Sequence, residues 1–177
     1  MVTLHKQDYS KNKKLYLENY NTLTKVLNKG TPIDHVGSTA IPNIEYGKNI
    51  IDILVGAVDE LEFREYKSII ESLGFIASVN SSTNIYQFFA SRAGETTSQD
   101  VHIHLSIIGT ERYQDFITLR DYLLDNPTEA INYSNHKLEL ISIGIVERKD
   151  YRATKSKYVE NLIQKARTYA LNKNKKS

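Results

Sequence analysis

No cysteine occurs in the 177 residues, which removes disulfides, thiolate nucleophiles and any cysteine-based zinc site together. Whatever chemistry the chain carries must come from Asp, Glu, His, Lys, Ser or Tyr. Long apolar runs are missing too: the longest, such as Ile50-Ile51-Asp52-Ile53-Leu54-Val55, fall far short of the ~20 residues that span a bilayer. No transmembrane helix and no membrane partner are expected. Met1 to Lys14 is polar and lysine-bearing with no apolar stretch behind it, so it does not read as a secretory signal, and the expected compartment is cytoplasmic. An excess of one charge is also absent, with a net charge of +2, and this carries no strong nucleic-acid signal. Internal repeats, low-complexity linkers and composition breaks are not found.

What is present is ordinary for a globular domain: 40% hydrophobic and 25% charged residues, close to the soluble average. The length suits one domain, 1–177, with a core over about 8–170 and a basic, disordered tail at 172–177. Tyr16, Tyr20, Leu23 and Leu27 share a helical face, and Gly30 and Pro32 follow, so the spacing predicts a first helix from about Asp8 to Lys29. Ile33 to Val36 and Ile50 to Val55 read as buried strands. Asp59 caps a second helix with Phe63, Tyr66, Ile70 and Leu73 along its stripe and Gly74 at its end. Phe75 to Val79 and Ile85 to Ser91 read as a hairpin around the turn residues 80–84, and Val101 to Ile107 alternates as a half-buried strand. Three helices close the chain. The second of these starts at Asn126-Pro127-Thr128-Glu129, where a capping Asn, an N1 proline and a carboxylate three residues after the cap coincide. The third opens at Asp150. The fold class is α+β: a mixed sheet of about five strands with an N-terminal helix, one intervening helix and a C-terminal helical layer.

A strand ending in Gly37-Ser38-Thr39, about a dozen residues, and then a buried strand bearing Asp52 form the pattern of the nucleotidyltransferase-like superfold. Gly37 lets the backbone approach a phosphate, and Ser38 or Thr39 can donate hydrogen bonds to it. Carboxylates two apart on the second strand would share a face and hold the divalent metals of a phosphoryl transfer. Here the first is Asp52, the candidate catalytic residue and metal ligand, but two residues on stands Leu54. The later strand offers His102 and His104, which share a face and suit a transition metal better than Mg. Either the metal differs or metal-dependent transfer is lost. Lys48 is placed to neutralise a triphosphate. Each residue also has an ordinary reading: a strand-exit turn for Gly37-Ser38, a structural ion pair for Asp52, a solvent-facing pair for His102 and His104, a loop lysine for Lys48 and a satisfied edge histidine for His35.

The run His35-Val36-Gly37-Ser38-Thr39-Ala40-Ile41-Pro42, then Lys48 and Ile51-Asp52-Ile53-Leu54-Val55, resembles the first signature of the GrpB family, with Asn49 in place of a proline. His102-Ile103-His104-Leu105 is similar to the family's histidine strand. Arg120-Asp121-Tyr122-Leu123, Asn126-Pro127, Ala130, Tyr133 and Lys137 resemble its next segment, and Tyr151, Lys155, Val159 and Ala166 its closing one. The resemblance spans about residues 10–167 and implies a nucleotidyltransferase-like protein. The implied activity is metal-assisted (Mg, Mn or a transition metal) transfer of a nucleotidyl group from a nucleoside triphosphate to a small-molecule acceptor. The alternative is a catalytically reduced module that binds a nucleotide or phosphorylated metabolite, which Leu54 favours. The resemblance adds Arg120 and Lys155 as phosphate-binding candidates, with helix salt bridges to Asp121 and Glu160 as their ordinary reading.

Overall fold

Asp8 accepts a hydrogen bond from the Lys11 amide at 3.0 Å and so opens α1 (Tyr9–Leu23). The computed structural model describes residues 1–77, 87–92 and 100–175. α1 ends well before Lys29. Thr22 and Thr24 turn their hydroxyls onto the carbonyls of Glu18 and Asn21, a local bond that competes with helix continuation. The turn that follows brings Leu27 into the same core as Leu23. A two-residue strand not anticipated from the sequence, β1 (His5–Lys6), pairs antiparallel with β3 (Tyr46–Gly47). Both residues of β1 are exposed and polar, so no alternation marks it.

The main sheet contains β2 (Ile33–Val36), β4 (Ile50–Ala57), β5 (Ile76–Ala77), β6 (Gln87–Arg92) and β7 (Asp100–Ile107) in the order β2-β4-β7-β6-β5. β4 and β7 run parallel, and the other pairings are antiparallel. Mixed pairing and five strands agree with the sequence reading. β5 and β6 are the paired arms of the anticipated hairpin, Ile76 opposite Ser91, while its turn at 80–84 and the polar loop after Arg92 lie outside the described residues. Between β4 and β5 runs α2 (Glu60–Ser72), capped by Asp59 onto the Glu62 amide and closed by Gly74 at φ +83°.

Side chains alternate across the central strands and sort the two faces. Ile51, Ile53 and Val55 of β4 and Val101, Ile103 and Leu105 of β7 bury against α1 and α2 in the main core. Each such aliphatic side chain is worth ~1.5–3 kcal/mol on burial. The opposite face carries Asp52, Leu54, His102 and His104. There α3 (Glu111–Asp125) covers Val36 and Leu54 with Tyr113, Phe116 and Ile117, and α4 (Pro127–Ser142) and α5 (Arg148–Asn174) pack beyond it around Ile41, Ile44, Tyr122 and Leu162.

Two details of this helical layer depart from expectation. Asn126 makes no side-chain cap on α4. As the one residue between α3 and α4, it donates backwards from Nδ2 to the Tyr122 carbonyl at 2.8 Å, and Glu129 pairs with Lys165 at 3.0 Å instead of closing a capping box. α5 runs on through Asn174, into the stretch expected to be a disordered tail.

Candidate functional site: a cationic cleft on the open face of the sheet

β2, β4 and β7 bring Asp52 together with both histidines. Val36 lies opposite Asp52 in the antiparallel pair, and Asp52 lies beside His102 in the parallel one. His104 Nε2 stands 2.9 Å from Asp52 Oδ1. A carboxylate can only accept, so this nitrogen carries the proton. His102 Nδ1 is further off, at 3.5 Å from the same oxygen. Phe89 packs edge-on to His102, and Phe116 packs on His104 with ring centroids 4.6 Å apart. Burial works against charge on Asp52, but the hydrogen bonds from His102 and His104 outweigh it and hold the carboxyl well below the usual carboxylate range.

The Gly37-Ser38 turn abuts this carboxylate. Gly37 has φ +71°, and a Cβ there would meet Asp52 Oδ2 at 2.5 Å, so only glycine lets the turn lie against the strand. Ser38 faces the cleft and accepts a hydrogen bond from Lys137 Nζ at 3.2 Å. Thr39 is turned away. Its buried hydroxyl donates to the Ile50 carbonyl at 3.0 Å and meets His35 Nε2 at 3.1 Å, so its side chain ties the turn to the sheet and does not offer a phosphate contact. His35 stacks on Tyr16 at 4.7 Å, and burial pushes its pKa down to about 4. It is a satisfied core-facing histidine.

Around these groups opens a cleft of about 870 Å³ between the sheet and α3, α4 and α5. Among the described residues it is lined by Lys48, Arg112, Lys137, Arg148, Arg152 and Lys155, against two carboxylates, Asp52 and Asp100. Lys48 lies over the Tyr151 ring at 5.3 Å. Burial lowers its pKa, Lys155 and Arg148 lower it further, and Asp52 acts in the opposite sense. Such a surplus of cations in one concavity is an electrostatic trap for a polyanion. Arg120 is not part of it. Its guanidinium is held by Asp34 at 2.7 Å and Asp121 at 2.8 Å, which realises the ion-pair reading and joins α3 to β2.

Four cleft cations were not anticipated as site residues: Lys137, Arg112, Arg148 and Arg152. Signals for two kinds exist in the sequence. Arg148, Arg152 and Lys155 stand at helical spacing on one face. Lys137 stands in the buried stripe Ala130, Tyr133, Lys137, Leu140 of α4, where a lysine is out of place unless it has a task.

The residues fit a pair of divalent metals poorly. Leu54 is 0% exposed and packs under α3, so the position for a second carboxylate is core. Asp52 Oδ1 is occupied by the two imidazoles, and among the described residues no group of three or more His, Asp or Glu is arranged to hold a metal ion.

Comparison with known proteins places this geometry in context. Residues 2–165 match the family model described as "GrpB protein". The chain is 27% identical over 139 residues to UPF0157 protein BH1888 of Halalkalibacterium halodurans, covering 78% of this chain and 69% of that one. It is 25% identical over 141 residues to UPF0157 protein SCO7215 of Streptomyces coelicolor, covering 80% and 72%. The crystal structure of the conserved protein GrpB from Enterococcus faecalis superposes with TM-score 0.78 at 19% identity, covering 94% of this chain and 99% of that one. A Cid1 poly(U) polymerase structure bound to MgATP superposes with TM-score 0.51 at 10% identity, covering 76% and 44%. The fold is therefore nucleotidyltransferase-like. Among the described residues no helix is long and apolar enough to cross a membrane.

Proposed function

The chain belongs to the GrpB family, and from that membership and the charge of its cleft we propose that it binds a nucleotide or another phosphorylated metabolite without needing a metal pair. The observation that carries this reading is that six cations among the described residues surround one cleft, while the position of a second metal-binding carboxylate is taken by the buried Leu54. In this role Lys48 and Lys155 neutralise phosphates, the Gly37 backbone permits close approach, and Ser38 donates to a phosphate oxygen. Arg112, Arg148 and Arg152 extend the same surface from α3 and α5. Asp52, held ionised by its histidines, then serves to fix the turn and the sheet edge beside the ligand.

A second reading is metal-assisted nucleotidyl transfer from a nucleoside triphosphate to a small acceptor, with Asp52 as base or ligand. It is favoured by one observation: Asp52 sits beside Gly37-Ser38 within a fold similar to that of a polymerase bound to MgATP. Calorimetric titration of ATP, first in EDTA and then with excess Mg or Mn, separates the two. Binding in EDTA that metal does not strengthen is the expected result. Binding that requires metal would replace the first reading by the second, and absence of binding under all conditions refutes both.

A further inference from the structure

Lys137 is 2% exposed and, among the described residues, has no carboxylate partner. Its Nζ donates to Ser38 Oγ at 3.2 Å and lies 4.7 Å from the Tyr133 ring centroid. The backbone of Gly47 walls it on another side, where an added Cβ would come within 3.5 Å of Nζ. An ammonium has three donors, and among the described residues Ser38 Oγ is the one acceptor it meets. A buried cation in this state is costly, and it lines the cleft. An arriving phosphate oxygen would meet both the unused donors and the Ser38 hydroxyl proton.

We propose that Lys137 and Ser38 form the seat for a terminal phosphate, and that a fully ionised phosphate takes its place there together with one proton, which Lys137 acquires from solvent. This rests on the reading of the cleft as a phosphate-binding site and adds its innermost contact and its pH response. Burial, reinforced by Lys155, lowers Lys137 to about 7 in the free protein. A bound dianion raises it again. The cleft also holds Lys48 beyond β3, Arg112 of α3, Tyr133 on the same helix, Arg148, Tyr151 and Arg152 of α5, and Asp52, Asp100, His102 and His104 on the sheet. Of the charged groups, Lys155 is the one that acts on Lys137, in the same direction as burial. Between pH ~6, where the phosphate itself gains a proton, and pH ~7 the amine is already protonated and affinity is at its plateau. Above that, affinity falls by about tenfold per pH unit while one proton is taken up per ligand.

The test is calorimetry of ATP in EDTA at pH 8, where a phosphate with second pKa near ~6 is fully ionised, in two buffers of different ionisation enthalpy. Uptake of about one proton is expected for the wild type, and none for Lys137→Arg, whose charge is permanent; its affinity should be flat from pH 7 to 9. Lys137→Met should bind at least about tenfold more weakly at pH 7 and show no uptake, which provides the same comparison if the bulkier arginine prevents folding. Wild-type binding without proton uptake, or a pH slope unchanged in the variants, overturns this proposal while leaving the cleft reading intact. Failure of the wild type to bind ATP and inorganic pyrophosphate at pH 6.5 overturns both.

Discussion

Replacing Lys137 by methionine keeps an unbranched apolar stem and removes the ammonium. The free energy involved follows from the fall of the lysine from 10.5 to about 7, which at about 1.4 kcal/mol per pH unit corresponds to ~5 kcal/mol of destabilisation at full protonation. The sign is set by which state holds more protons. Between pH ~7 and ~10.5 the unfolded chain keeps the proton that the folded chain has released, so wild-type stability gains about 1.4 kcal/mol per pH unit from this group across that window. Below pH ~7 the penalty is fully present. Lys137→Met lacks it, and should therefore be more stable than wild type by several kcal/mol at pH 6, with the difference shrinking to nearly nothing by pH ~10. There the lost bond to Ser38, worth about 1 kcal/mol, is all that remains. Urea unfolding of both proteins at pH 6, 7.5 and 9, without phosphate in the buffer, measures this directly. Parallel stability profiles, or a variant less stable at pH 6, would refute the assignment of Lys137 as a buried, uncompensated cation.

Other expectations concern the sheet side of the cleft. Gly37→Ala should lower stability by ~1–3 kcal/mol or more, because the new Cβ collides with Asp52 Oδ2. Gly30→Ala, at φ +89° with nothing within 4 Å, should cost only ~1–2 kcal/mol of backbone strain, and thermal unfolding of the pair isolates the collision. Asp52 contributes stability above the ordinary carboxylate pKa of 3.8 that is lost as pH falls below it. His104→Ala removes a donor, so burial gains weight and the loss should begin at higher pH, seen as an upward shift of the acid-unfolding midpoint by circular dichroism. Leu54→Asp, which restores the spacing of a carboxylate pair, should destabilise by more than ~3 kcal/mol and confer no Mg-dependent binding. Near-wild-type urea stability would show that Leu54 is not the core residue its contacts make it.

Local rules made much of the chain legible before any coordinates. The Asp59 cap, the Gly74 stop, the apolar run of β4 and the alternation of β7 are statements about neighbouring residues, and the structure bears each out. Gly37 and Asp52 are legible as site candidates, because glycine at a strand exit and a carboxylate inside an apolar run are each costly unless they serve something, but that the turn lies against this carboxylate is visible only in the structure. Strand periodicity alone put His102 and His104 on one face. Asn126 was misread by the same local logic: its residue type marks a cap, but with two helices joined through it, the carbonyl behind won over the amides ahead.

Tertiary structure alone decided which cations share a cavity. Arg112, Lys137 and Arg148 come from three different helices and Lys48 from the link between β3 and β4, and no spacing rule connects them. It also supplied partners that no local rule names. Arg120 went to Asp34, 86 positions away along the chain, and Thr39 to the Ile50 carbonyl, while Ser38 went to Lys137 across 99 positions. The physical reason is range: propensity and periodicity act over one or two turns of chain, whereas charge and burial act through space. The residue types of the site are therefore visible in the sequence, but their partners, and so their charge states, exist only once the sheet and the helical layer are packed together.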